Sequence, residues 1–319
     1  MKCSENQKVD LNEVARHLWF FCQQEKIEFD LFSHSLQQAY LPLLTQLYSK
    51  YLEHRENNPH KAFVVGINGA QGSGKSTLAR LLNILLKSCF SLEVLNFSID
   101  DLYLSGEDRA ELADKIHPLL KKRGVPGTHN VALGISLLRQ LSRTDKFKPV
   151  KLPLFDKSRD EPCTPEHQRL VTDAPQIIIF EGWCVATPPE SDDALRCPIN
   201  ELEKTQDPEG KWRRWVNQQL KENYQSLFVM IDYLIFLKAP NWEVIAHWRN
   251  EQEEKLISQL ARSKQTEGSI KTMNQQEIIQ FISLFERLTR HSLIVLDDLA
   301  DITITLNQYR SPKPIDFEN

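Results

Sequence analysis

The sequence predicts an α/β fold in which a doubly wound, mainly parallel sheet carries helices on both faces. A short apolar run at residues 63–67 leads through a glycine-rich loop into a helical pattern of apolar residues. Two further runs of strand length, at residues 177–180 and 233–237, are apolar throughout, which is typical of strands buried on both faces. Helical patterns separate these runs, and such alternation indicates a parallel sheet.

Residues 1–58 are expected to form a helical extension in front of the sheet. Apolar side chains recur at helical spacing between residues 9 and 56. Pro42 is compatible with a helix only near its first turn, where its missing N–H costs little. The polar cluster at residues 56–60 breaks the pattern. We therefore place the main domain at residues 59–319.

The main domain is predicted to alternate between strands and helices. Strands are expected at residues 63–67, 92–97, 176–180, 233–237 and 301–306. Helices are expected at residues 75–87, 107–120, 133–141, 211–224, 241–262 and 277–290. Residues 149–175 are rich in proline and charge and predict a strand with a loop on the substrate side. Residues 186–210 predict an exposed loop.

Composition argues against several classes of partner. The chain has 319 residues, 41% of them hydrophobic, and a formal net charge of −4, so an anionic ligand needs a local site and no nucleic-acid partner is expected. Trp212 and Trp215 lie at helical spacing, which favours core packing over RNA stacking. The longest apolar stretch, residues 227–237, contains Asp232 and is too short to span a bilayer. No membrane partner is expected.

The cysteine pattern and the N-terminus predict a cytoplasmic protein. Six cysteines lie far apart, with no C-x-x-C pair among them, which is typical of reduced thiols. The first residues are polar and of mixed charge, without the apolar segment of a secretion signal.

The glycine-rich loop carries the phosphate-binding pattern of P-loop proteins, in which four free positions separate a glycine from Gly-Lys-Ser. Its glycines let backbone N–H groups converge on phosphate oxygens, and the helix that follows directs its positive end at the anion. Lys75 is expected to reach the β- and γ-phosphates of ATP, and the Ser76 hydroxyl is expected to bind Mg²⁺. The predicted ATP-binding residues of the loop are Gly69, Ala70, Gln71, Gly72, Ser73, Gly74, Lys75, Ser76 and Thr77.

Acidic residues end two of the predicted strands, where ligands of such sheets bind. Glu181 follows the apolar run at 177–180 and is the candidate carboxylate for Mg²⁺, directly or through water. Asp100 follows the second strand and is the candidate base that accepts a hydroxyl proton. Asp101 has a second interpretation, as the N-cap of a helix. Lys75, Asp100 and Glu181 are thus the predicted catalytic residues.

The phosphate loop alone does not separate kinases, GTPases and motor ATPases. The guanine-reading Asn-Lys-x-Asp sequence is absent, and Glu181 stands alone where motor ATPases commonly carry a paired Asp-Glu. Two function classes remain: a small-molecule kinase, and a nucleotide-binding switch or assembly ATPase without a small acceptor.

Several segments together resemble the D-glycerate 3-kinase family, within the group of phosphoribulokinase, uridine kinase and pantothenate kinase. The matching segments are residues 69–76, 98–103, 123–129, 155–158, 181–184, 212–217, 248–253 and 285–290. The resemblance spans about residues 60–310. It implies ATP-dependent phosphorylation of a small hydroxy acid, with D-glycerate as the first candidate and pantothenate, a nucleoside or a sugar phosphate as alternatives. Asp100 matches the catalytic base of the group.

The resemblance also implies a group of residues that bind the acceptor substrate, called the acceptor side here. Arg123 and His129 lie in a loop where an anionic acceptor could pair with them. Asn130 departs from the family, whose members usually carry Asp there, and residues 159–166 lack a glycine-rich continuation found in plant members. The residues predicted for this side are Asp101, Tyr103, Arg123, His129, Asp156 and Lys157.

Three arginines of the C-terminal helices are further candidates. Arg249 is predicted either to close over the phosphates, as lids do in this group, or to pair with Glu253. Arg287 and Arg290 are expected on the polar side of their helix. Glu286 is expected to pair with Arg290, which favours a structural role for that pair.

Overall fold

The computed structural model describes residues 11–251 and 275–315. Five parallel strands form the central sheet: β1 (Phe63–Gly69), β2 (Val94–Ser98), β7 (Ile177–Gly182), β8 (Tyr233–Lys238) and β9 (Ile302–Thr305). They lie in the order β2-β7-β1-β8-β9. Every strand expected in the sheet is present, and the doubly wound parallel fold is confirmed.

Helices cover both faces of the sheet. In chain order they are α1 (Leu11–Glu25), α2 (Phe29–Ser35), α3 (Leu41–Asn57), α4 (Lys75–Phe90), α5 (Gly106–Lys115), α6 (Val131–Leu141), α7 (Glu201–Gln206), α8 (Lys211–Gln219), α9 (Gln225–Phe228), α10 (residues 242–251) and α11 (Gln275–Leu299). Two large apolar cores result, one on each side of the sheet, and a third, small cluster consists of Leu234, Phe236 and Leu296.

The N-terminal helices pack on one face of the sheet. Leu18 and Phe21 of α1 and Leu47 of α3 are buried in the same core as α4 and β1. A π-helical turn, Leu36–Tyr40, joins α2 to α3, and Pro42 lies in the first turn of α3 as expected. The division of the chain at residue 58 stays a prediction.

Register places the functional strand ends side by side. Glu181 of β7 lies opposite Ile67 of β1 and opposite Ser98 of β2. The ends of β1, β7 and β2 therefore meet at one edge of the sheet, because parallel strands end at the same side.

Several of the expected segments differ from the structure. The helix expected at 107–120 ends at Lys115, and a separate 3₁₀ turn, Pro118–Lys121, follows. Pro118 has no N–H to donate within a continuing helix, which explains the break. The segment 149–175 forms four short strands instead of one: β3 (Val150–Leu152), β4 (Phe155–Asp156), β5 (Glu161–Pro162) and β6 (Arg169–Val171), paired as β3 with β6 and β4 with β5.

The region expected as an exposed loop, residues 186–210, contains α7 and several buried side chains. Leu195, Leu202 and Glu203 are each at most 6% exposed. This prediction was wrong because the acidic composition of the segment hides an apolar face that packs under α11. The next helix also exceeds its expected end, since a π-helical turn, Leu220–Tyr224, connects α8 to α9.

Other expectations concern individual residues. Trp212 is buried in the core, as predicted. Five cysteines, Cys22, Cys89, Cys163, Cys184 and Cys197, are free thiols, whereas Cys3 lies outside the described residues. The same holds for residues 252–262 of the long helix expected at 241–262 and for the side chain of Ile278. In the described ranges, no helix has both the length and the apolarity to cross a bilayer.

Candidate active site

The phosphate loop connects β1 to α4 through two glycines with positive φ. Gly72 and Gly74 have φ values of 77° and 91°, which favour glycine because a Cβ is strained there. Gly74 is the N-cap of α4 and provides no side chain to cap the helix. The first N–H groups of α4 and its positive dipole end are thus available to an anion.

Ser76 and Glu181 form the candidate magnesium site. The Ser76 hydroxyl donates to Glu181 Oε1 at 2.8 Å. Glu181 is buried, and its other oxygen, Oε2, has no hydrogen-bond partner among the described residues. A buried carboxylate oxygen without a partner is costly, and a hard cation beside it would satisfy that oxygen.

The donor set is compatible with Mg²⁺. Within residues 11–251 and 275–315, no group of three or more His, Cys, Asp or Glu side chains is arranged to hold a metal. Mg²⁺ is usually bound through one or two carboxylates, with waters and substrate phosphates as its other ligands. One hydroxyl and one carboxylate beside a phosphate loop fit that pattern.

Asp100 lies at the centre of the part of the site that is expected to bind the acceptor. It belongs to a 3₁₀ turn, Ile99–Leu102, that directly follows β2 and is capped by the Ser98 hydroxyl, which accepts from the Asp100 N–H. Lys157 Nζ lies 2.6 Å from Asp100 Oδ2, and the Tyr103 hydroxyl donates to Oδ1 at 3.0 Å. Burial acts to raise the pKa of Asp100, but the charges of Lys157 and Lys75 prevail and lower it to about 2.

Asp101 contributes differently from either expected role. It lies inside the 3₁₀ turn and does not cap a helix, because Ser98 holds that position. Its Oδ1 accepts from the Phe155 N–H at 3.4 Å, which connects the β2 end to β4. Burial, and then the neighbouring charge of Asp100, raise the pKa of Asp101 to about 6.

His129 is buried and makes one hydrogen bond through its ring. The ring stacks on that of Tyr103 at a centroid distance of 4.3 Å, and Nδ1 lies 2.6 Å from the Tyr224 hydroxyl. That hydroxyl also accepts from the Gly127 N–H at 2.8 Å. In the tautomer that carries its proton on Nε2, Nδ1 accepts the hydrogen of Tyr224 and Nε2 is a donor.

The Nε2 atom of His129 is buried and has no hydrogen-bond partner among the described residues. Burial lowers the pKa of His129 to about 4, against the opposing effect of Asp100, so the ring is neutral at physiological pH. Polar groups in such positions are normally satisfied, and a ligand oxygen would satisfy this one.

Arg123 and Asp156, which were predicted to bind the acceptor, form bonds with other residues of the protein. The Arg123 guanidinium pairs with the Asp160 carboxylate, which also binds Arg109 at 2.9 Å. Asp156 accepts from the N–H groups of Ser158 and Arg159 and closes a local turn. Their roles in binding an acceptor are therefore not supported by the geometry.

The C-terminal arginines divide into one candidate and two structural residues. The Arg249 guanidinium lies 5.6 Å from the centre of the Phe281 ring, and its alternative partner Glu253 is outside the described residues. Arg290 binds Glu286 at 2.9 Å, which confirms the expected pair. Arg287 is buried and forms a bidentate pair with Glu203, both contacts being 2.7 Å. Its expected position on the polar side of the helix was wrong.

Removing Arg287 should destabilise the protein strongly. Arg287→Ala leaves the buried carboxylate of Glu203 without its charge partner, which typically costs about 3–5 kcal/mol. We expect this loss in the free energy of unfolding measured by chemical denaturation. Arg290→Ala on the same helix is the matched control, because its pair is half exposed and such pairs contribute about 0–1 kcal/mol. Equal stability of the two variants would contradict the assignment.

Three contributors were not predicted from the sequence. Tyr224 orients His129 from the end of a helix whose pattern indicates only an apolar face. Asn68 is buried and donates to the carbonyl of Val185 and the hydroxyl of Thr187, which joins the end of β1 to the segment after β7. Arg310 donates to the carbonyl of Gly72 in the phosphate loop at 2.9 Å. None of these residues belongs to a recognisable motif.

Comparison with known proteins agrees with this arrangement. Residues 45–305 match the model of the KAP family P-loop domain. The uncharacterized kinase mug58 of Schizosaccharomyces pombe is 31% identical over 250 residues, which cover 76% of this chain and 85% of that protein. The chloroplastic D-glycerate 3-kinase of Arabidopsis thaliana is 27% identical over 233 residues, or 70% of this chain, but the match spans only 46% of the plant protein.

A solved structure shares the fold. The D-glycerate 3-kinase from Cryptococcus neoformans superposes with a TM-score of 0.66 at 22% identity, covering 86% of this chain and 98% of that one. At this identity the likeness concerns the fold alone. The sequence matches show that this chain is a P-loop kinase that belongs to the KAP family by its P-loop domain, and that a D-glycerate 3-kinase is among its relatives.

Proposed function

We propose that this kinase transfers the γ-phosphate of ATP to the hydroxyl group of a small hydroxy acid, with D-glycerate as the acceptor. One observation carries the proposal: the carboxylate of Asp100 lies beside Lys157 and Tyr103 at the same sheet edge as the phosphate loop. A kinase for a small alcohol needs such a carboxylate next to the transferred phosphate. The plant relative named D-glycerate 3-kinase supports the choice of acceptor.

The phosphate half of the proposed site consists of the loop, Lys75, Ser76 and Glu181. Backbone N–H groups of the loop and of the first turn of α4 would bind the phosphate oxygens. Lys75 would pair with the β- and γ-phosphates. Mg²⁺, when bound by Ser76 and Glu181, supplies charge neutralisation on those phosphates. Glu181 and Ser76 thereby position the metal, whereas Lys75 contributes its charge directly.

The acceptor half centres on Asp100. With its pKa at about 2, Asp100 is ionised at physiological pH and can accept a hydrogen bond from a hydroxyl group. A carboxylate offers about four lone-pair sites, so an alcohol can bind beside Lys157 and Tyr103. Asp100 then orients the hydroxyl oxygen toward the γ-phosphate and takes up its proton as the new phosphoester bond forms, while the bond between the β- and γ-phosphates breaks and ADP leaves.

Cationic and donor groups around Asp100 fit an acidic acceptor. Lys157 is 60% exposed and could also pair with a carboxylate of the substrate. The unpartnered Nε2–H of His129 is a second donor for such an oxygen. We therefore assign His129 and Lys157 to the recognition of the acceptor, with Tyr103 holding Asp100 in place.

His129→Phe tests the donor role of that ring. Phenylalanine keeps a ring against Tyr103 but removes the Nε2–H. A lost hydrogen bond to a charged group costs about 1.5–3 kcal/mol, so KM for the acceptor should rise about tenfold or more while KM for ATP stays unchanged. Steady-state kinetics with each substrate varied would measure both. Equal changes in the two KM values, or none, would contradict the role.

Lys157→Gln should move the acid limb of the pH–rate profile to higher pH. Asp100 acts in its ionised form, so activity is lost as pH falls through its pKa. Burial acts to raise that pKa, and Lys157 is a principal charge that lowers it. The acid limb of kcat/KM should therefore appear at higher pH in Lys157→Gln than in the wild type. Arg159→Gln, which changes an exposed residue of the same loop, should leave the limb in place. Coinciding acid limbs in the wild type and Lys157→Gln would count against this coupling.

The proposed activity is tested by a coupled ADP-release assay with a panel of acceptors. D-glycerate is expected to stimulate ADP release, while L-glycerate, pantothenate, uridine and ribulose 5-phosphate are not. Stimulation by another member of the panel would refute D-glycerate but keep the kinase mechanism. ADP release that is independent of every acceptor would favour the class of nucleotide-binding switches.

A further inference from the structure

The loop that carries Lys157 depends on contacts from outside its own hairpin. Strands β4 and β5 pair through two residues each, and one of these is Pro162, which has no N–H to donate. A two-stranded hairpin is marginally stable by itself. Residues 157–160 connect the two strands. Contacts with other segments must therefore fix the position of the Lys157 side chain.

Arg109 of α5 provides the main contact with this loop. Its side chain is 1% exposed, and its Nη2 donates to Asp160 twice, to the carbonyl at 2.8 Å and to carboxylate Oδ2 at 2.9 Å. Nε donates to the carbonyl of Leu104 at 3.2 Å, and Nη1 donates to that of Lys121 at 3.0 Å. Because the donors of a guanidinium lie in one rigid plane, these bonds fix Asp160 relative to Leu104.

Arg109 thereby connects the two segments that meet at the acceptor side. Leu104 directly follows Tyr103 in the chain, and Asp160 ends the loop that begins with Lys157. The Tyr103 hydroxyl and the Lys157 ammonium group bind the two oxygens of the candidate base, at 3.0 Å and 2.6 Å. The contact of Arg109 therefore holds the two partners of that base in one arrangement.

Two further contacts attach the hairpin to its surroundings. Arg123 pairs with Oδ1 of Asp160, and its guanidinium lies 5.4 Å from the centre of the Phe155 ring in β4. Glu161 in β5 accepts from the N–H of Gly106, the first residue of α5, at 3.1 Å. Both carboxylate oxygens of Asp160 thus bind an arginine, and contacts on both sides of the loop fix its path.

We propose that Asp160, held by Arg109 and Arg123, is a positioning residue that keeps Lys157 at the carboxylate of Asp100. Asp160 acts through Lys157, because its own carboxylate is occupied by the two arginines. The protein thus uses two cations to place a third one that remains exposed to substrate. The proposal deepens the acceptor half of the function proposed above, and only its kinetic test rests on that function.

The position of Lys157 can be measured without any substrate. An amine that is bound to a carboxylate is stabilised in its charged form, which does not react with acylating reagents. In Asp160→Asn, acetic anhydride should acetylate Lys157 about three- to tenfold faster than in the wild type, since a charged hydrogen bond is weakened. Mass spectrometry of peptides measures this rate, with the exposed Lys211 of α8 as internal reference. Asparagine tolerates the φ of 59° at this position as aspartate does, so the lost charge is the cause.

Glu161→Gln is the matched control for this measurement. It removes one negative charge from the same hairpin, but glutamine keeps an oxygen that can accept from the Gly106 N–H. Lys157 should react in it as in the wild type. If thermal melting shows that Asp160→Asn is not folded, Arg123→Gln replaces it, because Arg123 is 24% exposed and its loss should change the reactivity in the same direction. Equal reactivity of Lys157 in the folded variant and in Glu161→Gln would overturn the proposal.

Kinetics separate a positioning role from a general loss of structure. Asp160→Asn should raise KM for the acceptor about threefold or more and leave KM for ATP unchanged. In the Lys157→Gln background the same substitution should add nothing, because the residue through which it acts is already gone. An equal effect in both backgrounds would contradict the proposal. The acetylation experiment contains no acceptor, so a wild type that is inactive with D-glycerate would refute the proposed function, while the reactivity of Lys157 would still decide the role of Asp160.

Discussion

Asp100→Asn is expected to lower turnover by about a hundredfold to ten-thousandfold while leaving ATP binding nearly intact. Asparagine keeps the shape of the side chain and one acceptor oxygen, but it cannot take up the hydroxyl proton. General base catalysis contributes about that range of rate. Loss of the charge also removes the partner of Lys157, which lies 2.6 Å from the carboxylate. Single-turnover rates and ATP affinity, measured on the same preparation, give both quantities.

The control for this variant is Asp114→Asn, which changes an exposed aspartate of α5 by the same chemistry. Its turnover should equal that of the wild type. If Asp100→Asn also keeps wild-type turnover, Asp100 has no part in the mechanism. If it instead abolishes ATP binding, its role is structural and the base must be sought elsewhere.

Glu181→Gln is the variant with the second largest expected effect. Glutamine can still accept the hydrogen bond from Ser76, which spans 2.8 Å in the wild type, so the local geometry should persist. The missing charge should raise the Mg²⁺ concentration needed for half-maximal activity by about ten- to a hundredfold, and turnover at low Mg²⁺ should fall accordingly. Initial rates across a magnesium titration measure this shift.

Glu93→Gln provides the comparison for that titration. Glu93 is exposed and precedes β2, whereas Glu181 lies at the carboxyl ends of the strands. Its magnesium dependence should match the wild type. Superimposable curves for Glu181→Gln and the wild type would mean that the unpartnered Oε2 of Glu181 does not serve a metal.

The sheet could be predicted because its strands are buried on both faces. Residues 177–180 and residues 233–237 are apolar without alternation, which is typical of strands in the interior of a parallel sheet. The helical content of 186–210 could not be predicted in the same way. Its helix is stabilised by the buried ion pair between Glu203 and Arg287, two residues that are 84 positions apart in the sequence. No local sequence pattern indicates such a contact.

The residues of the candidate site that directly follow a predicted strand could be predicted from the sequence. The phosphate loop, Asp100 and Glu181 all stand at strand ends, and topology alone brings strand ends together. The roles of the acceptor-side residues could not be predicted in this way, because they depend on pairing between side chains that are distant in sequence. Arg123 was expected to face a ligand, but Asp160, which has a φ of 59° in an irregular turn, pairs with it. Lys157 has a similar sequence context, yet the fold brings it to Asp100.

The proton position on His129 shows most clearly what sequence leaves open. It depends on the hydrogen bond between Nδ1 and the hydroxyl of Tyr224, 95 residues away. Where Tyr224 donates in that bond, Nε2 carries the proton of the ring.

Phosphorus NMR of the reaction products tests the central claim most directly. The protein is incubated with ATP, Mg²⁺ and D-glycerate, and the signals of phosphorus in the mixture are followed over time. We predict that the γ-phosphate signal is replaced one for one by that of a phosphate monoester of glycerate, together with ADP. Appearance of inorganic phosphate in place of the monoester, at the same rate with and without glycerate, would contradict a kinase acting on this acid.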